Sequence, residues 1–173
     1  MRTVVVGPRP VVLEALIAER VAKGLDLFDE LWEGDYHMAP APHPRHGIID
    51  RQLAAVIDPV AIEHGLVPIG PFNLGEPDDY RVPDSGYCER APEDTFVSTA
   101  VIVVEIVSPG DESFAKLPFY AARGVQEVVI VDPIERTVRF HQLVDDAHGY
   151  GEVPGSRALG VTADEVSAQL RWP

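Results

Sequence analysis

The chain has 173 residues, of which 46% are hydrophobic and 24% are charged, as in ordinary soluble globular proteins. This length predicts one domain spanning residues 1–173, with a core large enough to fold alone. The net charge of −14 argues against broad electrostatic binding to nucleic acid, although it excludes neither a local basic groove nor acids clustered around a metal.

The sequence gives no sign of a membrane span or of a disulfide framework. No apolar run approaches the ~20 residues needed to cross a bilayer, and the N-terminal segment is too short for a signal-peptide core. We therefore expect a cytoplasmic location. The single cysteine, Cys88, excludes an internal disulfide and a cysteine-rich zinc site, and we interpret it as a small buried hydrophobic residue.

Apolar residues at helical spacing predict four helices, at residues 10–23, 45–64, 111–122 and 162–170. Proline is expected to end or kink the second helix at Pro59 and to disturb the third at Pro118, which would then start one turn later. Thr162 and Glu165 form a capping-box pattern at the start of the last helix. The second helix is expected to turn six apolar residues inward: Ile48, Ile49, Leu53, Val56, Val60 and Ala61.

The remaining apolar segments predict strands separated by glycine and proline turns. A strand or hairpin with acids at Glu30, Glu33 and Asp35 comes first, and Pro83 marks a later strand as an edge or bulged one. Residues 145–151 are expected to form a loop. The predicted strands cover residues 28–38, 66–69, 72–74, 80–87, 100–107, 128–131 and 137–143.

The most informative segment is the apolar strand that carries Glu105 as its one charge. An uninterrupted apolar strand is covered on both faces, so this carboxylate needs a cation, a proton or a metal. If the preceding strand lies alongside, Asp84 brings a second carboxylate, and Lys116 follows in the next helix. Two carboxylates suit Mg²⁺, and a nearby lysine stabilises an anionic transition state or orients the attacking water.

Residue chemistry alone leaves a structural alternative with equal weight: a salt bridge between Glu105 and Lys116 or an arginine, with Asp84 an ordinary turn acid. Three neighbouring histidines, His37, His43 and His46, raise the question of a metal. Their spacing is irregular, so capping or surface roles are favoured. His46 is the one that lies near both a helix start and an acidic strand.

Several motifs occur in an order that resembles the Uma2 family, whose members are assigned as endonucleases of the PD-(D/E)XK superfamily. They cover roughly residues 32 to 133. The motifs are Glu33-Gly34-x-Tyr36-x-Met38-x-Pro40-x-Pro42-x3-His46, Val82-Pro83-Asp84, Val103-Val104-Glu105-Ile106-Val107-Ser108-Pro109, Lys116-x3-Tyr120-x3-Gly124-Val125-x-Glu127 and Ile130-Val131-Asp132-Pro133.

The resemblance implies an α/β (α+β) fold with a restriction-endonuclease-like mixed central sheet flanked by helices. It also implies Mg²⁺-dependent hydrolysis of phosphodiester bonds, with Mn²⁺ as a substitute. By motif, Asp84 and Glu105 would be the two metal-binding acids. The lysine that the superfamily places two residues after the second acid is Val107 here, and Lys116 would take its place.

The resemblance also implies accessory residues and partners. Glu33, with Asp35 as a substitute, would be an extra acid near the metal, and Tyr120 and His46 could contact the site. DNA is the expected partner, and a homodimer is compatible with the superfamily. The alternative, favoured by the charge of −14 and by Val107, is a non-catalytic module that binds nucleic acid or protein on a nuclease scaffold.

Overall fold

The computed structural model describes residues 3–5, 11–39, 42–108, 110, 112–145 and 148–173. Within these ranges the helices are α1 (Val11–Ala22), α2 (Pro44–Glu63), α3 (Leu117–Ala122) and α4 (Ala163–Gln169), with a 3₁₀ turn at Ser113–Lys116. The strands are β1 (Thr3–Val5), β2 (Glu30–Trp32), β3 (Asp35–Met38), β4 (Val67–Ile69), β5 (Asn73–Glu76), β6 (Asp79–Arg81), β7 (Ser85–Cys88), β8 (Phe96–Val97), β9 (Ile102–Ile106), β10 (Glu127–Asp132), β11 (Thr137–Asp145), β12 (Gly149–Val153), β13 (Gly155–Ser156) and β14 (Val161–Thr162).

The strands form two mixed sheets of six strands each, beside the small β13–β14 pair. The first sheet has the order β1-β3-β2-β6-β5-β8, and the second has the order β12-β11-β10-β9-β7-β4. In the second sheet β9 is parallel to β10 and antiparallel to β7. Mixed sheets flanked by helices confirm the predicted fold class.

The central strand β9 is covered on both faces, as its composition predicted, because all five of its residues are buried. Alternate residues point to opposite faces of a strand. Ile102, Val104 and Ile106 accordingly pack in one core cluster with the inner face of α2, whereas Val103 packs in a second cluster with Tyr120 of α3. Glu105 therefore emerges on the α3 side of the sheet.

One predicted strand proves to be two. Residues 80–87 contribute β6 to the first sheet and β7 to the second, and the chain passes between the sheets at residues 82–84. Proline cannot donate to a strand ladder, which explains why the break falls at Pro83. The prediction of one continuous strand was wrong, and Asp84 lies at the crossing from one sheet to the other.

Other predicted elements changed in length or character. The predicted loop at residues 145–151 includes the start of β12. Pro59 does not end α2, which continues to Glu63, and Ile48 is 48% exposed rather than inward. The third helix begins as a 3₁₀ turn at Ser113 and becomes α-helical at Leu117. Residue 111, where this helix was predicted to start, lies outside the described residues.

Other expectations were confirmed. The hairpin β2–β3 occupies the predicted segment, Cys88 is buried, and Thr162 and Glu165 form a complete capping box. The first helix is present as predicted, but none of its residues is buried. In the described part of the chain, no helix has both the length and the apolarity required to cross a membrane.

Candidate active site

Glu105 is enclosed by donors from the α3 layer. Its side chain is buried, and its oxygens Oε1 and Oε2 lie 3.0 and 3.2 Å from Nζ of Lys116. The Tyr120 hydroxyl donates a hydrogen bond to Oε1. Lys116 is therefore the cation that burial of the one carboxylate in this apolar strand was expected to require.

Asp84 is attached to the same strand by its backbone and by its side chain. Its N–H donates to the carbonyl oxygen of Val104 at 3.1 Å, and Oδ2 accepts from the N–H of Ile106 at 2.7 Å. These two bonds reach the residues on either side of Glu105. Both acids also lie one residue beyond the paired Ser85 and Val104, at the same end of the β7–β9 ladder.

Lys116 reaches the site from the end of the 3₁₀ turn. Its side chain is 6% exposed, and Nζ lies 2.8 Å from Oε1 of Glu30 and 3.4 Å from the carbonyl oxygen of Val82. Pro118 follows in the first turn of α3, where the missing N–H removes no helical hydrogen bond. The side chain of Lys116 is thus directed toward Glu105 and Glu30.

The extra acid of the site is Glu30, which the sequence reasoning placed in the hairpin but did not select. Glu30 is fully buried and contacts Lys116. Glu33 instead lies exposed in the β2–β3 turn, with a positive φ of 50° and its N–H bonded to Asp79. Asp35 opens β3 opposite Trp32. The structure therefore brings Glu30, rather than Glu33, to the lysine.

Three acids, Glu30, Asp84 and Glu105, lie close enough together in this cluster to shift the pKa values of its members. Burial raises the pKa of Glu105; Lys116 opposes this, but the neighbouring Asp84 and Glu30 add to it, and the pKa reaches about 7. Burial would lower the pKa of Lys116, yet Glu105 and Glu30 outweigh it and raise that pKa. Burial and the Glu105 carboxylate raise the pKa of the Tyr120 hydroxyl. The lysine is therefore held as an ammonium among three acids.

His46 contacts the partly exposed carboxylate of Asp84. Its Nε2 lies 3.0 Å from Oδ1 of Asp84, with side chains 13% and 20% exposed. Burial lowers the pKa of His46, but the hydrogen bond and charge of Asp84 outweigh this and raise it. Asp50, one helical turn further along α2, also has a raised pKa because of burial and of Asp84. The accessible edge of the cluster thus lies at Asp84 and His46.

Of the other two histidines, His43 has the capping role that was favoured, whereas the prediction was wrong for His37, which is buried in β3. His43 caps α2 by accepting from the N–H of Arg45, and His37 pairs with Glu112 at 3.1 Å. Within the described ranges, no three His, Cys, Asp or Glu side chains are already arranged to hold a metal ion together. The carboxylates of Asp84 and Glu105 are nonetheless hard oxygen donors of the type that Mg²⁺ prefers.

Comparison with known families identifies the group to which this chain belongs. A family model described as "Uma2: Putative restriction endonuclease" matches residues 26–168. The chain belongs to the Uma2 family. The match contains every element of the site described above and confirms the resemblance seen in the ordered motifs.

A solved structure shares the fold of this Uma2 protein. It is described as a putative nuclease belonging to DUF820 from Anabaena variabilis ATCC 29413. The TM-score is 0.67 at 18% sequence identity, and the similarity covers 82% of this chain and 90% of that chain. A search of curated proteins gave no significant match.

Proposed function

We propose that this Uma2 protein is a metal-dependent endonuclease that hydrolyses phosphodiester bonds in DNA. Asp84 and Glu105 would hold Mg²⁺, and Lys116 would assist the attack of water. The observation that carries the proposal is the convergence of these three residues, since Asp84 bonds to both backbone neighbours of Glu105 and Lys116 bonds to its carboxylate. Family membership and the shared fold support it.

The donor set fits a small divalent cation. Mg²⁺ is usually bound through one or two carboxylates and keeps several waters, so two acids at a partly open edge suffice. The raised pKa of Glu105 reflects repulsion from Asp84 and Glu30 as well as burial, and a cation would relieve that repulsion. When bound, the metal would polarise the phosphodiester and lower the pKa of a water molecule.

The chain's own residues would bind and orient the reacting groups. Lys116 presents a buried ammonium that can donate to a phosphate oxygen or to the attacking water, stabilising negative charge as it develops. Tyr120 and Glu30 hold that ammonium and its neighbour Glu105 in place. Mn²⁺ has similar ligand preferences and should support the same reaction.

The second candidate is a non-catalytic module that binds nucleic acid or protein. The observation that favours it is that both oxygens of Glu105 already have protein donors, because Lys116 and Tyr120 satisfy them without a metal. The net charge of −14 and Val107 at the superfamily's lysine position point the same way. A cytoplasmic location and a homodimer remain parts of the main proposal.

Purified protein incubated with plasmid, single-stranded DNA and RNA decides between the two candidates. Cleavage of DNA in Mg²⁺ or Mn²⁺, lost on adding a chelator, is expected for the wild type. Glu105→Gln and Asp84→Asn should abolish it, whereas Glu63→Gln, which changes an exposed acid at the end of α2, should cut as the wild type does. Equal cutting by the wild type and Glu105→Gln would assign the activity to a contaminant. Binding without cleavage would favour the non-catalytic module.

A further inference from the structure

Glu30 is a fully buried carboxylate whose two oxygens both have donors. Oε1 accepts from the N–H of Val82 at 2.9 Å and from Nζ of Lys116 at 2.8 Å. Oε2 accepts from the indole Nε1 of Trp32 at 2.7 Å. Burying an ion pair gains little stability over a hydrophobic pair of the same size. A specific role is therefore the better explanation for its presence.

The geometry points to Glu30 as the positioning residue of Lys116, with the indole of Trp32 holding Glu30 in turn. This inference rests on the proposed function only where it assigns Lys116 a part in hydrolysis. Glu105 must share its charge between Lys116 and any cation that it binds. Glu30 faces the ammonium from the hairpin and keeps it in place when Glu105 is so engaged.

The indole that holds Glu30 makes two further ring contacts. Trp32 stacks on His37 with ring centroids 4.3 Å apart and an interplanar angle of 15°. The guanidinium of Arg81 lies 4.3 Å from the centroid of the Trp32 ring. Arg81 also donates to the carbonyl oxygen of Leu31 at 2.9 Å, which joins β6 to the hairpin. These contacts and the hydrogen bond to Glu30 together restrict the orientation of the Trp32 indole.

The same hairpin holds the Lys116 turn at a second point. His37 of β3 pairs with Glu112, the residue directly before the 3₁₀ turn. Lys116 at the end of that turn is bonded to Glu30 of β2. The hairpin thus contacts both ends of a four-residue turn that carries the lysine. Two contacts of this kind fix the position and the direction of Lys116.

A competing assignment makes Glu30 a third metal ligand. Its oxygens are already occupied by a backbone N–H, an indole N–H and the ammonium, and its side chain has no exposed surface. Asp84, by contrast, is partly exposed. A positioning residue and a ligand differ in a measurable way, because the loss of a ligand weakens ion binding far more than the loss of a charge that does not contact the ion.

The two lysines of the sequence allow a direct test, since Lys116 is buried and Lys23 is exposed. In protein labelled with ¹³C and ¹⁵N in lysine, NMR should show slow hydrogen exchange at the Lys116 ammonium and fast exchange at Lys23. Glu30→Gln should accelerate exchange at Lys116 by about fivefold or more, because a charge-assisted hydrogen bond is lost. Glu63→Gln should change neither signal. Unchanged exchange in Glu30→Gln would overturn the inference.

Trp32→Phe provides a second variant if Glu30→Gln does not fold. It removes the indole N–H and keeps an aromatic ring against His37 and Arg81. Exchange at Lys116 should rise by about twofold or more, a smaller effect because the Glu30 carboxylate remains. Exchange equal to that of the wild type would show that Trp32 does not hold Glu30.

Activity and ion binding test the role in hydrolysis. Glu30→Gln should lower kcat by about tenfold to a hundredfold, while KM changes by less than about threefold. Calorimetry with Mn²⁺ alone should give a Kd within about threefold of the wild type for Glu30→Gln and a large loss for Glu105→Gln. An equal loss in both variants would make Glu30 a ligand. If the wild type cleaves nothing, the proposed function fails, but the NMR comparison still decides whether Glu30 fixes Lys116.

Discussion

Replacing Lys116 by methionine should be among the most destabilising substitutions in the chain. Nζ lies 2.8 Å from Glu30 and 3.0 Å from Glu105. With an effective dielectric constant of about 20, each contact corresponds to a gross attraction of about 5–6 kcal/mol. Desolvation of the buried ions offsets much of this attraction. Removing one partner of a buried ion pair typically costs about 3–5 kcal/mol, and Lys116→Met would leave two carboxylates without their cation.

Urea denaturation followed by tryptophan fluorescence near neutral pH measures this cost. The matched control is Lys23→Met, because Lys23 pairs with Glu19 at the surface, with side chains 59% and 57% exposed. That change should alter the free energy of unfolding by less than about 0.5 kcal/mol. Both variants remove one lysine, but Lys116 is buried between two acids, whereas Lys23 is exposed beside one.

A background without the two acids tests the electrostatic cause. In Glu30→Gln/Glu105→Gln the cost of Lys116→Met should fall to about 1 kcal/mol, because no uncompensated carboxylate remains beside the methionine. A cost below about 1 kcal/mol in the wild-type background, or the same cost in both backgrounds, would contradict this prediction. Lys116 would then not be the charge that compensates the buried acids.

Three further predictions concern the supporting structure. Glu127→Ala should lower the free energy of unfolding, measured by urea denaturation, by about 2–4 kcal/mol. The reason is that the Ser156 hydroxyl and the N–H groups of Arg157 and Ala158 lose their buried acceptor. Glu127→Gln keeps one acceptor oxygen and should cost less. Burial lowers the pKa of His141, so on acidification this histidine takes up a proton in the unfolded chain at a higher pH than in the folded protein. The free energy of unfolding should therefore fall as the pH drops below about 6.5. This contribution to the pH dependence should be absent in His141→Phe. Thr162→Ala should cost about 1 kcal/mol by removing the side-chain cap of α4, measured as a shift in the urea midpoint.

Glu105 could be identified from the sequence because a charge within an apolar strand is visible in a few consecutive residues. A carboxylate in an uninterrupted apolar strand requires a partner, and that reasoning led from Glu105 to Lys116 without knowledge of the fold. The structure confirms the contact at 3.0 Å. The roles assigned to Asp84 and Lys116 in hydrolysis stay predictions that the cleavage assays test.

The sequence did not distinguish Glu30 from Glu33, because the choice depends on the turn between β2 and β3. Glu33 and Gly34 both have positive φ, as in the two-residue hairpin turns that glycine favours. This turn places Glu33 at the exposed tip and leaves Glu30 on the strand, on the same face as Trp32. An acidic residue followed by glycine between two apolar segments was the signal that could have located the turn.

The sequence also did not predict which distant segments pair as neighbouring strands. Residues 80–87 were predicted to form one strand, yet β6 pairs with β5 and β2, whereas β7 pairs with β9 and β4. Pro83 indicated a break, but the identity of each partner strand depends on contacts far apart in the chain. This crossing is also what brings the backbone of Val82 to Glu30 and Asp84 to β9.

Because the lysine of the site is at position 116 instead of 107, the geometry of the site depends on more than one strand. The side chain of a lysine at position 107 would project from the same face of the strand as Glu105. The strand alone would then set the distance between the cation and the carboxylate. Here Val107 packs in the apolar cluster under α3, and the cation comes from the turn before that helix. The distance between Lys116 and Glu105 is therefore set by how α3 and the β2–β3 hairpin dock on the sheet. Because packed interfaces transmit small shifts, substitutions in the layer between Trp32, Arg81 and Phe119 should change the distance between Lys116 and Glu105, and with it the proposed hydrolysis, while leaving both acids in place.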